Sequence, residues 1–370
     1  MVLGLKKYWL VLAALCFLIS CKREEEQHAP EPVVRVDTTA VFKPTPYSLK
    51  IPYGFPSLTI PANNPLTVEG IALGKKLFHD KLLSVDNSIS CGSCHKQEFS
   101  FVDNTKFSTG VDGKTGLRNA MPLFNLGWAE MFNPTAHRFM WDGGNPDLEN
   151  QVIAPIQNPL EMNQGLSALE HKLRAHPEYP ALFKKAFGTD SVTIKYVMYA
   201  IAQFERTLIS AGSKYDKYKQ GLVELTEQEL NGLSVFSRED KGGCFHCHGN
   251  DRSPFFTNYR FHNNGLDSIP ADKGLGAITS IAEDDGKFKV PSLRNLAFTS
   301  PYMHDGRFTT LEEVVEFYNS GVKSGPTTDQ NLKTHVAQGG LKLTEQDKKD
   351  LIAFLNTLND YEFLVNENFK

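Results

Sequence analysis

Two short runs carry the most specific chemistry in the chain: Cys91-Gly92-Ser93-Cys94-His95 and, about 150 residues later, Cys244-Phe245-His246-Cys247-His248. Two thiols in a C-x-x-C-H spacing can add across the two vinyl groups of one haem, and the histidine that follows then lies under the ring as a fixed iron ligand. The chain has 6 Cys and 11 His in 370 residues. Chance would supply only roughly 0.003 such pentads from that composition. Two copies therefore read as two covalently held c-type haems, attached through Cys91, Cys94, Cys244 and Cys247 with His95 and His248 on the irons. A zinc knuckle or a redox-active C-x-x-C is the competing reading, and the double occurrence weighs against it.

Elements able to hold two such sites recur in step with them. From Leu66 the pattern turns helical, with Ile71, Leu73, Leu77 and Phe78 on one side, and the first pentad follows after a loop rich in Ser and Asn. The second half opens the same way. Thr226-Glu227-Gln228-Glu229 is a capping-box sequence, Leu230, Leu233 and Phe236 follow at helical spacing, and Gly242-Gly243 leads into the second pentad. The chain thus reads as a duplicated unit of helix, loop and haem site. Ile194, Val197, Met198, Ile201 and Leu208 predict an amphipathic helix closing the first unit. Thr344 to Asp347 caps a final helix with Leu351, Phe354, Leu355 and Leu358 on its apolar face. Long Gly-, Asn- and Pro-rich stretches, 99–134 and 251–310, follow the pentads, and loops of that length in a packed body are usually functional. The expected fold class is mainly α: two loop-rich, cytochrome c-like haem domains over 65–220 and 221–370, with one c-type haem each.

At the N-terminus, Lys6-Lys7, an apolar run from Tyr8 to Ile19 and then Ser20-Cys21 have the make-up of a signal peptide. Leu18-Ile19-Ser20-Cys21 resembles a bacterial lipobox, so residues 1–20 are expected to be removed and Cys21 to carry lipid. Acyl chains there would hold the protein on a membrane surface, on the periplasmic side where bacterial c-type haem is attached. The charged and then Pro-, Thr- and Val-rich stretch 21–64 is expected as a tether. Cysteine usage closes on this scheme: Cys16 leaves with the signal, Cys21 is lipidated, four carry haem and none remains for a disulfide. A balance of 39 basic against 43 acidic residues offers no basic field for nucleic acid.

Further segments carry a resemblance. Taken with the pentads, Phe139-Met140-Trp141-Asp142-Gly143-Gly144, Pro291-Ser292-Leu293-Arg294-Asn295 and Thr299-Ser300-Pro301-Tyr302-Met303-His304-Asp305-Gly306 resemble the bacterial diheme cytochrome c peroxidase family, including its MauG-type branch. The likeness covers about residues 65 to 360. It implies that Trp141 lies between the haems as a relay for electrons or holes. It also implies that Gln151 and Glu161, ten and twenty residues on, sit on the distal side of the first haem. Peroxide cleavage needs a proton moved from the inner to the outer oxygen, so that the O–O bond breaks heterolytically and water leaves. A carboxyl group whose pKa is lifted toward neutrality by burial can do this. Glu161 is therefore the expected acid-base and Gln151 its orienting hydrogen-bond partner. The resemblance further implies a calcium ion between the domains at Asn119, Thr299 and Pro301, where hard oxygen ligands suit it.

Two positions depart from the family pattern. Val111, in the loop from Ser108 to Asn119, stands where many members place a histidine on the first iron; valine cannot ligate, so the first haem is expected to be open at rest, as in the MauG-type branch. Counting fourteen residues on from His304, to where members with a high-potential second haem carry methionine, reaches Tyr318. Tyr318 is thus the expected sixth ligand of the second haem, with Met303 as the alternative and His262 and His335 as weaker ones. A phenolate would lower the potential relative to methionine. The leading expectation is a lipid-anchored diheme peroxidase that reduces hydrogen peroxide to water. Its electrons would come from a small periplasmic cytochrome or copper protein, entering at the second haem and passing Trp141. A MauG-type oxidase acting on a protein substrate and a non-catalytic electron carrier are the alternatives; Val111, Gln151 and Glu161 argue against the carrier. Whether the protein forms a homodimer is left open.

Overall fold

The computed structural model describes residues 42–132, 139–250 and 253–370. The expected signal segment and Cys21 lie outside the described residues. The body is mainly helical. The elements that position the site are α1 (Val68–His79), α2 (Cys91–Cys94), α3 (Leu148–Gln151), α4 (Ile194–Glu205), α5 (Glu227–Ser237), α6 (Phe245–His248), α7 (Leu311–Glu316) and α8 (Glu345–Asn356). One two-residue pairing, β1 (Phe261–His262) antiparallel to β2 (Phe288–Lys289), supplies the sheet. Among the described residues no helix is long and apolar enough to cross a membrane.

Local chemistry starts these helices where the sequence says it should. Thr226 accepts from the Glu229 N–H at 3.3 Å while the Glu229 carboxylate accepts from the Thr226 N–H at 2.7 Å, and Thr344 and Asp347 repeat the exchange at the head of α8. Four donors that a helix start leaves unpaired are thereby satisfied.

The duplication extends to the packing. In the first half α1 crosses α4, and a Cβ on Gly74 would lie 1.9 Å from the Ala200 carbonyl oxygen; in the second half α5 crosses α8, and a Cβ on Gly232 would lie 1.9 Å from the Asp350 carbonyl oxygen. Four residues after each glycine comes a buried phenylalanine. Phe78 meets Phe204 and Phe236 meets Phe354, each pair with ring centroids 5.3 Å apart. Two apolar cores follow this division, one around Leu77, Phe78, Ile201 and Phe204, the other around Phe236, Leu351, Phe354 and Leu358. The chain's end crosses back: Phe363 and Phe369 pack in the first core, Phe363 at 5.5 Å from Phe101.

Part of the stretch expected as tether is packed on the body. Phe55 is buried against Trp128 and Phe255, at 5.3 and 5.0 Å, and the Trp128 indole N–H donates to the Pro56 carbonyl at 2.9 Å. Apolar residues set between prolines give an extended strap that fills a groove in this third aromatic cluster.

Alanine in place of glycine in an open helix normally stabilises by about 1 kcal/mol. At Gly232 the opposing atom is backbone and cannot swing away, so Gly232→Ala should instead destabilise by about 1–3 kcal/mol. Thermal unfolding monitored by circular dichroism checks the sign; a raised Tm would mean the helices do not meet at this contact.

Candidate functional site

The first pentad forms one wall of a cavity of about 980 Å³. Cys91, Cys94, His95, Trp141, Gln151 and Glu161 all line it, so the residues singled out from the sequence around the first haem converge on one space. The His95 Nδ1 bonds to the Phe101 carbonyl at 2.8 Å, which leaves Nε2 as the ring atom available to a metal. Phe101 offers that carbonyl from the left-handed region, at φ 62°. Burial lowers the His95 pKa, keeping the imidazole neutral, the form that ligates. Burial also pushes the Cys91 and Cys94 thiols up, Cys94 to about 11.

Glu161 sits on a turn fixed from both sides. Its N–H bonds to the Asn158 carbonyl at 2.9 Å and its carbonyl accepts from the Val111 N–H at 2.9 Å. Burial raises its carboxyl above the ordinary carboxylate range, offset in part by the Asn158 side-chain N–H, which donates to it at 2.7 Å. The orienting partner of Glu161 is therefore Asn158, three residues before it, where the sequence reading had assigned Gln151. Gln151 lies on α3 facing α4 and donates instead to both oxygens of Glu205, at 3.0 and 2.8 Å. Val111 is buried beneath Glu161, and Gly110 is pressed so close that a Cβ would meet the Leu160 carbonyl oxygen at 2.1 Å.

Trp141 joins the halves. Its indole N–H donates to the Asn119 carbonyl at 2.8 Å, and its own carbonyl accepts from the Lys289 N–H at 2.9 Å. Asn119, Thr299 and Pro301, the residues expected around calcium, come from two loops tied together by the Asn119 N–H to the His304 carbonyl, 2.7 Å, and the Asn104 amide to the Ser300 carbonyl, 3.1 Å. Asp305, the next residue after His304, has a buried carboxylate oxygen with no hydrogen-bond partner.

The second pentad repeats the first. The His248 Nδ1 bonds to the Phe256 carbonyl at 3.2 Å, and Phe256 is left-handed at φ 50°. Burial lowers His248 to about 4 and raises the Cys244 thiol to about 12. Tyr318 follows α7, and its hydroxyl accepts from the Asn264 side-chain amide at 3.3 Å; the same amide lies 3.4 Å from the Met303 sulfur. The sequence's two ligand alternatives thus converge on one group. His262 also lies at the second pentad, interacting with Cys247 while its ring is held by Asp329 at 2.7 Å and Asn258 at 3.2 Å.

Residues 68–224 match the model of the di-haem cytochrome c peroxidase family. The chain is 33% identical over 348 residues to the cytochrome-c peroxidase IdrP1 of Denitromonas iodatirespirans, covering 85% of this chain and 88% of that one. The chain belongs to the di-haem cytochrome c peroxidase family. Within that family it is also 35% identical over 306 residues to the methylamine utilization protein MauG of Methylorubrum extorquens, covering 82% of this chain and 81% of that one. A solved MauG-like protein associated with microbial copper homeostasis superposes with a TM-score of 0.76 at 34% identity, over 88% of this chain and 99% of that one.

The donors of this di-haem peroxidase family member suit the cofactor its family implies. Each half brings two unpaired thiols and one neutral histidine whose Nδ1 is already held by a carbonyl, the outer-shell arrangement that aims Nε2 at a metal. The residue that sequence reasoning passed over is Glu205. It lines the same cavity, and its signal was present: a carboxylate four residues after Ile201 and three before Leu208, on the helix face that should be apolar. Burial, with a smaller push from Cys247 and Cys244, raises Tyr318 to about 12 in spite of the Asn264 hydrogen bond, so its ionisation needs a cation facing the hydroxyl. If an iron supplies that charge, Tyr318→Phe should turn the second haem from low to high spin by electron paramagnetic resonance, while Met303→Leu leaves it unchanged. The reverse pattern assigns the ligand to Met303.

Proposed function

We propose that this protein is a diheme cytochrome c peroxidase that reduces hydrogen peroxide to water with electrons from a small redox protein. The observation that carries the reading is the convergence of Cys91, Cys94 and His95 with Glu161, Gln151 and Trp141 on one cavity. We read the body as two cytochrome c-like haem domains, 65–220 and 221–370, with the first haem peroxidatic and the second receiving electrons. Haem bound at the first pentad would supply the electrons and the site at which an oxygen binds.

The chain's own residues do the rest. Glu161, ionised, takes the proton from the inner oxygen of peroxide and returns it to the outer one, which leaves as water. Because burial raises the Glu161 pKa and only the Asn158 amide opposes it, the group is both basic enough to accept that proton and acidic enough to return it. Gln151 fixes the substrate beside it. Trp141, bonded to both halves, supports the reading of its ring as the relay. Asn119, Thr299 and Pro301 are read as carbonyl and amide ligands of a calcium ion at the seam, where hard oxygen donors suit that cation. Cys21 is read as the lipidated residue that anchors the protein on the periplasmic side. Val111 supports a first haem open at rest, which makes the as-isolated, fully oxidised protein competent to react.

Oxidised holoprotein should therefore turn over peroxide with a reduced small cytochrome without prior activation, and its rate should fall as pH drops through the raised Glu161 pKa, because the protonated carboxyl cannot accept a proton. Glu161→Gln should lower kcat by about 10²–10⁴-fold with both haem spectra unchanged, and a loss below about threefold would remove the acid-base role. A protein that accumulates a long-lived oxidised state and leaves the reduced cytochrome untouched would be acting as the MauG-type oxidase instead.

A further inference from the structure

Glu205 is the buried acid that this chemistry leaves unused. It ends α4, is 3% exposed, and both of its oxygens accept from one atom, the Gln151 amide nitrogen. Few charged groups face it. Arg206, next on the same helix, is committed to Glu149 of α3 by hydrogen bonds of 2.7 and 2.9 Å, and the Glu130 carboxylate lies on the far side of that guanidinium at 3.9 Å. From α2 comes the Cys91 thiol, which also faces Glu161 and becomes an uncharged thioether once haem is attached. Burial, with the nearby Glu149 charge adding to it, pushes Glu205 up to about 8, against the downward pulls of Gln151 and Arg206.

An amide has a donating end and an accepting end. A carboxylate only accepts, so ionised Glu205 holds the Gln151 nitrogen and leaves the amide oxygen to the cavity, as found here. A protonated carboxyl also donates, pairs with the amide oxygen and turns the nitrogen outward. We propose that Glu205 is the positioning residue of the peroxide site: its carboxyl group decides whether Gln151 presents an acceptor or a donor to the substrate. With the oxygen presented, Gln151 accepts one hydrogen of peroxide while Glu161 takes the other. This inference rests on the peroxidase reading.

The test uses holoprotein. Infrared difference spectra taken without peroxide should contain the carbonyl band of a protonated carboxyl that titrates near pH 8 and is missing in Glu205→Gln. Gln151→Leu removes the hydrogen bond that favours the ionised form, so in that variant the midpoint should rise. In turnover, Glu205→Gln mimics the protonated state and should lose about 10–100-fold in kcat/KM above the midpoint but little below it, and Glu205→Asp should restore a titrating limb. A midpoint indifferent to Gln151→Leu overturns the proposal. So does a loss in Glu205→Gln that is equal at every pH, the mark of a merely structural role. The infrared measurement needs no peroxide and decides the positioning role even where a variant folds poorly, whereas absence of turnover in the unmutated protein would sink the underlying reading instead.

Discussion

At Gly74 and Gly232 two pairs of helices meet backbone to backbone, and the positions of both haem-site pentads descend from these contacts. With no side chain between the helix axes, Phe78 reaches Phe204 and Phe236 reaches Phe354. These rings in turn support Phe101 and Phe256, each about 6.1 Å from its neighbour, and it is the carbonyls of Phe101 and Phe256 that hold His95 and His248. A glycine contact thus determines, through two phenylalanines, which way an imidazole points. That the same chain of contacts occurs twice is stronger evidence of duplication than the pentads alone, because the linking residues are far apart in sequence and no local motif demands them.

The crossing also decides the electrostatics. By seating α4 against α1 and α3, it buries Glu205 and Arg206 together, and Arg206 has its fork filled by Glu149, itself bonded to Asn64 at 2.7 Å. At Glu205 the two charges of this bidentate pair oppose each other, Arg206 lowering and Glu149 raising its carboxyl. The two glutamates that line the cavity are then left with amides as partners, Asn158 for Glu161 and Gln151 for Glu205. An amide offers a hydrogen bond without a compensating charge, so burial prevails and both carboxyls sit above the ordinary range. Away from the cavity the arrangement is reversed: Arg294, fully buried, pairs with Asp216 at 2.6 and 2.8 Å and holds that carboxyl down. Both raised glutamates lie at the cavity, where Asp267 and Asp272, paired with Arg307 and Arg118, are held low.

What could be read from the sequence follows from this division between local and long-range causes. Pentads, capping boxes and the apolar stripe from Ile194 to Leu208 are set by neighbours within a few residues, and the expected helices form there. Glu161 and Gln151 could be named from their offsets to Trp141, but not their partners: Gln151 is paired across 54 residues with Glu205, and the spacing of a short helix does not reveal what it will face. The strap around Phe55 was equally hidden, since Pro-rich composition describes an extended chain whether it runs in water or along a groove. Tyr318 and Met303 remained alternatives in sequence because both are brought to Asn264, a residue 54 and 39 positions away, respectively.

The loop carrying Val111 has a further role in this arrangement. The resemblance places a histidine on the first iron at this position, and the chain has valine there instead. Here the Val111 N–H is bonded to the Glu161 carbonyl, the side chain is buried, and Gly110 lies so close to the Leu160 and Glu161 carbonyls that no larger residue fits. Moving this loop would cost the hydrogen bond and expose Val111, and it would also shift the turn on which the Glu161 carboxyl is aimed. Val111 therefore does more than supply no ligand; its buried side chain and its N–H are part of the support that holds the Glu161 turn at the cavity.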